Sequence, residues 1–295
     1  MQIGVAGLGR MGFAIAQRLQ EVGHSVTVWN RSAEKAKPLA DAGAKVVATP
    51  AALASACEAV ITMLTDEAAI DAVYSGPAGL LSGDVRGKLF IDMSTVRPAT
   101  EVALVEKVRA KGASLVECPV GGSVGPARQG QLIGLVGAES ADFERARPIL
   151  EQLCRRIEHC GPVGNGALVK LAINLPLMVS WPAYGEAFAL CKEVGFDPKR
   201  LVDLFADTSG ATTALKIRVA AVTSMLAGGD PGGVTFDIES SVKDLRAMVA
   251  EGKARSLDLP LVERTLACYD EAAKNGWAPR EIAGVAVYWR NRSGR

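Results

Sequence analysis

The six residues Gly7-Leu-Gly-Arg-Met-Gly12 restrict the fold of this chain more than any other stretch. They follow a short apolar run at residues 2–7 that reads as a buried strand. They lead into an amphipathic helix carried by Phe13, Ile15, Ala16 and Leu19 as far as Gly23, and a second strand is expected over 25–30. GxGxxG alone is a weak signal, but strand, glycine turn, helix and strand in this order make a dinucleotide site the strong reading. Gly7 allows the tight turn, Gly9 lets the backbone approach a pyrophosphate, and Gly12 lets the helix pack on the strand. Leu8, Arg10 and Met11 belong to the same cofactor-binding set, because the helix start offers amide groups and a positive dipole end to phosphates. The alternative is a glycine turn with no ligand.

The second strand ends in Asn30-Arg31-Ser32, with Lys35 close behind. A carboxylate here would suit the ribose 2′-hydroxyl of NAD and repel a 2′-phosphate, whereas Arg31 can make charge-assisted bonds to that phosphate and Ser32 can add a hydroxyl. The cofactor expected is therefore NADP(H), held in part by Asn30, Arg31, Ser32 and Lys35. Alternatively, Ser32 only caps the following helix and Arg31 is solvated.

Strand and helix signals then alternate. Strands are expected over 45–47, 59–63, 89–92, 114–119, 132–136 and 156–159, with helices over 32–42, from Pro50, from 98 to 111, and from 141 to 153. Ligands of an open parallel sheet lie beyond the carboxyl ends of its strands. Leu64, Thr65, Ser94 and Thr95 fall there and, with Met63 as the last residue of its strand, are assigned to the cofactor, with Ser94 also near substrate; ordinary turn chemistry is the competing account. Gly121, Gly122, Gly125 and Gly130 crowd one loop after a strand, and such a run exposes amides able to bind a carboxylate or phosphate. After Gly164 the alternation stops and everything reads helical, including 198–207, 211–226, 237–251, 261–274 and 279–290. The fold expected is α/β: an N-terminal Rossmann-type doubly wound sheet over 1–164, and an all-α C-terminal domain over 165–295 that begins with a long interdomain helix.

That helix is expected to run from Gly166 to about Val194 and is mostly apolar, yet Lys170, Asn174, Met178 and Trp181 recur on one face of it. Either the lysine snorkels from a helix end, or the face is a pocket wall. Pro176 and Pro182 each free a carbonyl one turn earlier. The lysine and the prolines also count against a membrane span. Net charge is +1, from 33 basic and 32 acidic residues, which provides no global field for nucleic acid or an anionic membrane; the basic tail over 290–295 is expected to be solvated. Six cysteines without paired metal-ligand spacing are expected to be buried thiols, and two histidines leave little for a metal site or a serine triad, so no metal is expected. With a first strand starting at Gln2 and no basic leader, the protein is expected to be cytoplasmic.

Gly7-x-Gly9-x-x-Gly12, Asp92-x-Ser94-Thr95, the Pro119-Val-Gly-Gly turn, Gly166-x-x-x-Lys170-x-x-x-Asn174 and Lys243-Asp244-Leu245 together resemble the β-hydroxyacid dehydrogenases, over nearly the whole chain. That group includes 3-hydroxyisobutyrate dehydrogenase, tartronate semialdehyde reductase and the glyoxylate/succinic semialdehyde reductases. The resemblance implies Lys170 as catalytic acid/base, Asn174 as a substrate-holding residue, and Thr95 and Lys243 at the cofactor. It also implies Gly121, Gly122 and Ser123 at the substrate carboxylate, and assembly as a homodimer or homotetramer. Gly121 stands where the family's turn carries serine, so Ser123 would have to substitute for it. Ile173 stands where 6-phosphogluconate dehydrogenases carry histidine, which argues against that sugar phosphate. Lys170 argues against imine reductases, which generally replace it. Trp181 and Tyr184 are bulkier than the small residues expected along this helix, and with Gly121 they imply a reshaped, less polar pocket, with Met178 and Trp181 assigned to the substrate.

Reduction of a carbonyl by hydride builds negative charge on oxygen, and an ammonium within reach can donate a proton as that charge develops. The leading expectation is NADPH-dependent reduction of a small aldehyde or keto acid to the hydroxy acid, and the reverse. An imine or ketone reductase of the same architecture, or a non-catalytic NADP-binding module, are the alternatives.

Overall fold

Short runs of Val, Ile and Leu form six parallel strands: β1 (Gln2–Ala6), β2 (Ser25–Trp29), β3 (Lys45–Val46), β4 (Ala59–Thr62), β5 (Leu89–Asp92) and β6 (Ser114–Glu117). A computed structural model of the chain describes residues 1–292, so the end of the basic tail, 293–295, lies outside the described residues. The sheet order is β3-β2-β1-β4-β5-β6. Helices cover both faces: α1 (Arg10–Glu21), α2 (Lys37–Asp41), α3 (Pro50–Ala56), α4 (Glu67–Ser75) and α5 (Pro98–Ala110). Alternate residues of each strand therefore enter two separate cores. Ile61, Ile91 and Val116 meet Ile15 and Leu19, while Val60, Phe90 and Leu115 meet Leu53, Tyr74 and Leu104. The strand order reverses between β1 and β4, and a ligand crevice is expected beyond the carboxyl ends at that point.

The strand expected over 114–119 stops at Glu117, because the chain turns into a second, three-stranded sheet. This contains β7 (Val120–Gly121), β8 (Leu132–Val136) and β9 (Cys154–His159), with β7 antiparallel to β8 and β8 parallel to β9. The short α6 (Val124–Arg128) and α7 (Ser140–Leu153) complete this part. α8 (Asn165–Leu190) follows, then α9 (Pro198–Ala206), α10 (Thr213–Lys216), α11 (Val219–Leu226), α12 (Ile238–Ala254), α13 (Pro260–Ala272) and α14 (Gly284–Arg292).

The chain divides into two compact units, Met1–Lys170 and Leu171–Arg295. The boundary expected near Gly164 thus falls later, inside α8, since the first turn of that helix is bonded to Glu117 in the first unit. In the helical unit, the helix expected over 211–226 is broken at Ile217 and Arg218. Arg218 leaves helical geometry to pair with the buried Glu281, at 2.9 Å, and with Thr235. The helix expected from 279 begins only at Gly284, because Arg280 and Ile282 exchange backbone bonds with Ile238 and Phe236. All six cysteines are free thiols; Cys160 and Cys191 are half-buried and the other four are buried.

Candidate active site

The glycine turn is locked by its surroundings. Gly7 adopts φ +94°, donates its amide to Trp29 O at 3.0 Å, and a side chain there would lie 2.3 Å from Met63 O. A side chain on Gly12 would strike Gly7 O at 1.9 Å, so α1 packs on the turn only because both residues are glycine. Gly9, in contrast, faces open space at the start of α1. The turn is braced from β2: Leu8 donates its amide to Asn30 Oδ1 at 2.8 Å, and Asn30 Nδ2 donates to Ser32 O at 2.9 Å.

A cleft of about 360 Å³ opens beside this turn. Gly7, Gly9, Asn30, Arg31, Ser32, Lys35, Met63, Leu64 and Thr65 all line it, so nine expected cofactor residues come together. Trp29, Pro50 and the stretch from Gly76 to Gly79 line it as well and were not anticipated. Its cations are Arg31 and Lys35, and its lining contains no carboxylate. Leu8 and Gly12 are buried under the turn, Met11 packs half-buried against the core, and Arg10 is exposed at the helix start.

Ser94 is held within the fold. It is 1% exposed, its Oγ accepts the Leu64 amide at 2.9 Å, and its own amide donates to Asp92 Oδ1 at 2.8 Å. Thr62, itself bonded to Tyr74 OH, donates to the other oxygen of Asp92. Ser94 therefore ties the loop after β5 to the loop after β4, and Thr95, half-buried, follows it. Burial, only partly offset by these bonds, raises the Asp92 carboxyl above its usual range. Glu101, completely buried on α5, is raised well above its own, first by burial and then by repulsion from Asp92 and Glu117.

In the glycine-rich loop, Gly121 belongs to β7, Gly122 is exposed at φ +123°, and half-buried Ser123 sits just before α6. On α8, Lys170 is 8% exposed. Within the helical unit Asn174 is 7% exposed and donates to Asp244 Oδ2 at 3.2 Å, while Lys243 pairs with Asp244 Oδ1 at 2.8 Å. Asp244 thus orients two expected site residues, a role that its place in a sequence motif did not reveal.

Residues 2–161 match the family model for the NAD binding domain of 6-phosphogluconate dehydrogenase, and residues 164–288 match that for the NAD-binding part of NADP-dependent 3-hydroxyisobutyrate dehydrogenase. Glyoxylate/succinic semialdehyde reductase 1 of Arabidopsis thaliana is 32% identical over 97% of this chain and 97% of its own. The chain belongs to the β-hydroxyacid dehydrogenase family. The 3-hydroxyisobutyrate dehydrogenase of Pseudomonas aeruginosa is 33% identical over 88% of both chains. A solved structure of Psf3 in complex with NADP+ and 2-OPP superposes with a TM-score of 0.85 at 26% identity, over 97% of this chain and 99% of the other.

As a β-hydroxyacid dehydrogenase the chain is an oxidoreductase with a nicotinamide dinucleotide cofactor. The open space at Gly9, the helix start behind it and the cationic cleft suit such a cofactor. Two residues expected at the substrate are fully buried. Met178 and Trp181 have no exposed surface and pack with Tyr184, Phe188 and Tyr269 in the core of the helical unit. Tyr184 spends its hydroxyl on the Gly210 carbonyl and the Thr212 amide. The bulk of Trp181 and Tyr184 thus fills the core of the helical unit.

Proposed function

We propose that this β-hydroxyacid dehydrogenase is an NADPH-dependent reductase of a small aldehyde or keto acid, of the semialdehyde or glyoxylate type, with Lys170 as general acid/base. The observation that carries the reading is the burial of Lys170, 8% exposed on an apolar helix. A lysine that only snorkels from a helix end would leave more of its side chain in water.

When bound, the nicotinamide exchanges a hydride with the carbonyl carbon. Lys170 donates a proton to the carbonyl oxygen as negative charge gathers there, and in the oxidation takes the proton from the hydroxyl. Asn174, turned by its bond to Asp244, holds the same oxygen without adding charge. The turn at Gly121, Gly122 and Ser123 receives the substrate carboxylate, with the Ser123 hydroxyl in place of the serine missing at Gly121. Arg31, Ser32 and Lys35, lining a cleft with no acidic residue, favour the 2′-phosphate.

Steady-state rates with glyoxylate, succinic semialdehyde, methylmalonate semialdehyde and a cyclic imine, each with NADPH and NADH, test this reading. Turnover of at least one carboxylate-bearing aldehyde with NADPH is expected. Turnover of the imine alone would move the enzyme to the imine reductases, and tight NADPH binding without turnover across a broader panel would leave a binding module.

A further inference from the structure

Glu117 ends β6 with its side chain fully buried, and its Oε1 accepts amide protons from the start of α8: Gly164 and Gly166 at 2.7 Å and Ala167 at 3.4 Å. The helix does not cap itself. Gly164 has no side chain, and Asn165 donates its amide group to Cys160 O at 2.8 Å. The cap comes instead from a strand about fifty residues earlier, and a carboxylate at a helix start also complements the dipole. The seat is tight. The backbones of Glu117 and Gly137 exchange bonds of 3.0 and 3.1 Å, a side chain on Gly137 would lie 1.9 Å from Oε1, and one on Gly166 would lie 2.3 Å from Leu135 O.

The position of this cap matters because of what lies on either side of it. Lys170 sits one helical turn beyond Gly166, and the turn from Pro119 to Ser123 begins two residues beyond Glu117. We propose that Glu117 is a positioning residue for Lys170, fixing the height and rotation of the first turns of α8 against the substrate-carboxylate turn. The role rests on the reading of Lys170 as acid/base given above.

A buried carboxylate with one orphaned oxygen also makes the cap sensitive to pH. Oε2 has no hydrogen-bond partner among the described residues. Asp92 of β5 acts on Glu117, and Glu117 in turn acts on Glu101 of α5 and on the thiols of Cys118 and Cys160. Burial, against the pull of three amides and with added repulsion from Asp92, pushes the carboxyl up to about 7. Protonation replaces charge-assisted bonds to α8 by weaker neutral ones.

The test is steady-state kinetics of Glu117→Ala, Glu117→Gln and Lys170→Ala from pH 6 to 8, with thermal unfolding of each. Glu117→Ala is expected to lower kcat at least tenfold while KM for NADPH stays within twofold. Glu117→Gln keeps the acceptor and loses the charge, so its kcat is expected to be level across pH 7, at the value the wild type reaches at low pH. A purely structural role would move the melting temperature and leave the pH profile of kcat as in the wild type. Wild-type kcat in both variants, or a wild-type pH profile in Glu117→Gln, overturns the proposal; if Glu117→Ala does not fold, the Glu117→Gln profile decides. Near-normal turnover in Lys170→Ala overturns the acid/base reading and this role with it. An inactive Lys170→Ala beside unaffected Glu117 variants overturns the positioning role alone.

Discussion

Tyr269 donates its hydroxyl proton to the backbone carbonyl of Met178 at 3.1 Å, and that is the carbonyl deprived of its helical partner by Pro182. Both residues are completely buried, so the bond satisfies an acceptor that water cannot reach. Burial also raises the phenol well above its usual range, which keeps it a donor at any working pH. Tyr269→Phe is expected to destabilise the chain by about 1–3 kcal/mol, the cost of an unsatisfied buried carbonyl. Pro182→Ala restores the missing helix amide, and denaturant unfolding of the double variant should recover part of the loss. Strictly additive losses would show that the hydroxyl does not replace the proline-broken bond.

Stability should fall as pH rises from about 5 to 8. Asp92, Glu101 and Glu117 are all buried acids with raised values, so the folded chain holds protons that the unfolded chain releases. For Glu117 the unfolded carboxyl titrates near 4.5 and the folded one at about 7. Its favourable contribution is complete below the first value and lost as pH climbs through the second, a difference of about 3 kcal/mol at most. Urea unfolding at pH 5, 6, 7 and 8 should show the decline, and Glu117→Gln should make it shallower. An unchanged slope in that variant would place the titration elsewhere.

The features legible in the sequence are those whose cause is local. Gly7 and Gly12 are required by backbone contacts within their own strand–turn–helix unit, and the spacing of three glycines records that directly. The alternation of strands and helices as far as His159 follows from runs of apolar residues, and the six-stranded parallel sheet is built from them. Features set by distant partners leave no such trace. The break before α11 depends on Glu281, 63 residues after Arg218, and the cap of α8 depends on Glu117. Met178 and Trp181 share a helical period with Lys170, but a period of 3.6 identifies a face and not what covers it; here a hydrophobic core does.

Arg31 should control the choice of cofactor. It lines the cleft with Ser32 and Lys35 and without any carboxylate, so removing its guanidinium subtracts charge-assisted bonds to a 2′-phosphate and nothing from a 2′-hydroxyl. Arg31→Ala is expected to raise KM for NADPH roughly ten- to hundredfold, the scale of about 1.5–3 kcal/mol, while KM for NADH stays within threefold. Fluorescence titration with both nucleotides separates binding from turnover. Equal losses for the two would assign Arg31 to the shape of the cleft instead.

Lys170→Ala is expected to lower kcat by at least roughly 10²-fold, the scale of a lost general acid. The cofactor cleft contains no part of α8, so NADPH affinity should be close to that of the wild type. The folded state should survive too, since truncation removes a buried ammonium and leaves the Glu117 cap on α8 intact. If proton transfer is the role, kcat and kcat/KM fall together, because the interaction lost is one made as charge develops on oxygen and not in the bound ground state. A raised KM with kcat preserved would instead make Lys170 a substrate-binding cation, and Asn174 would then be the next residue to test for the proton.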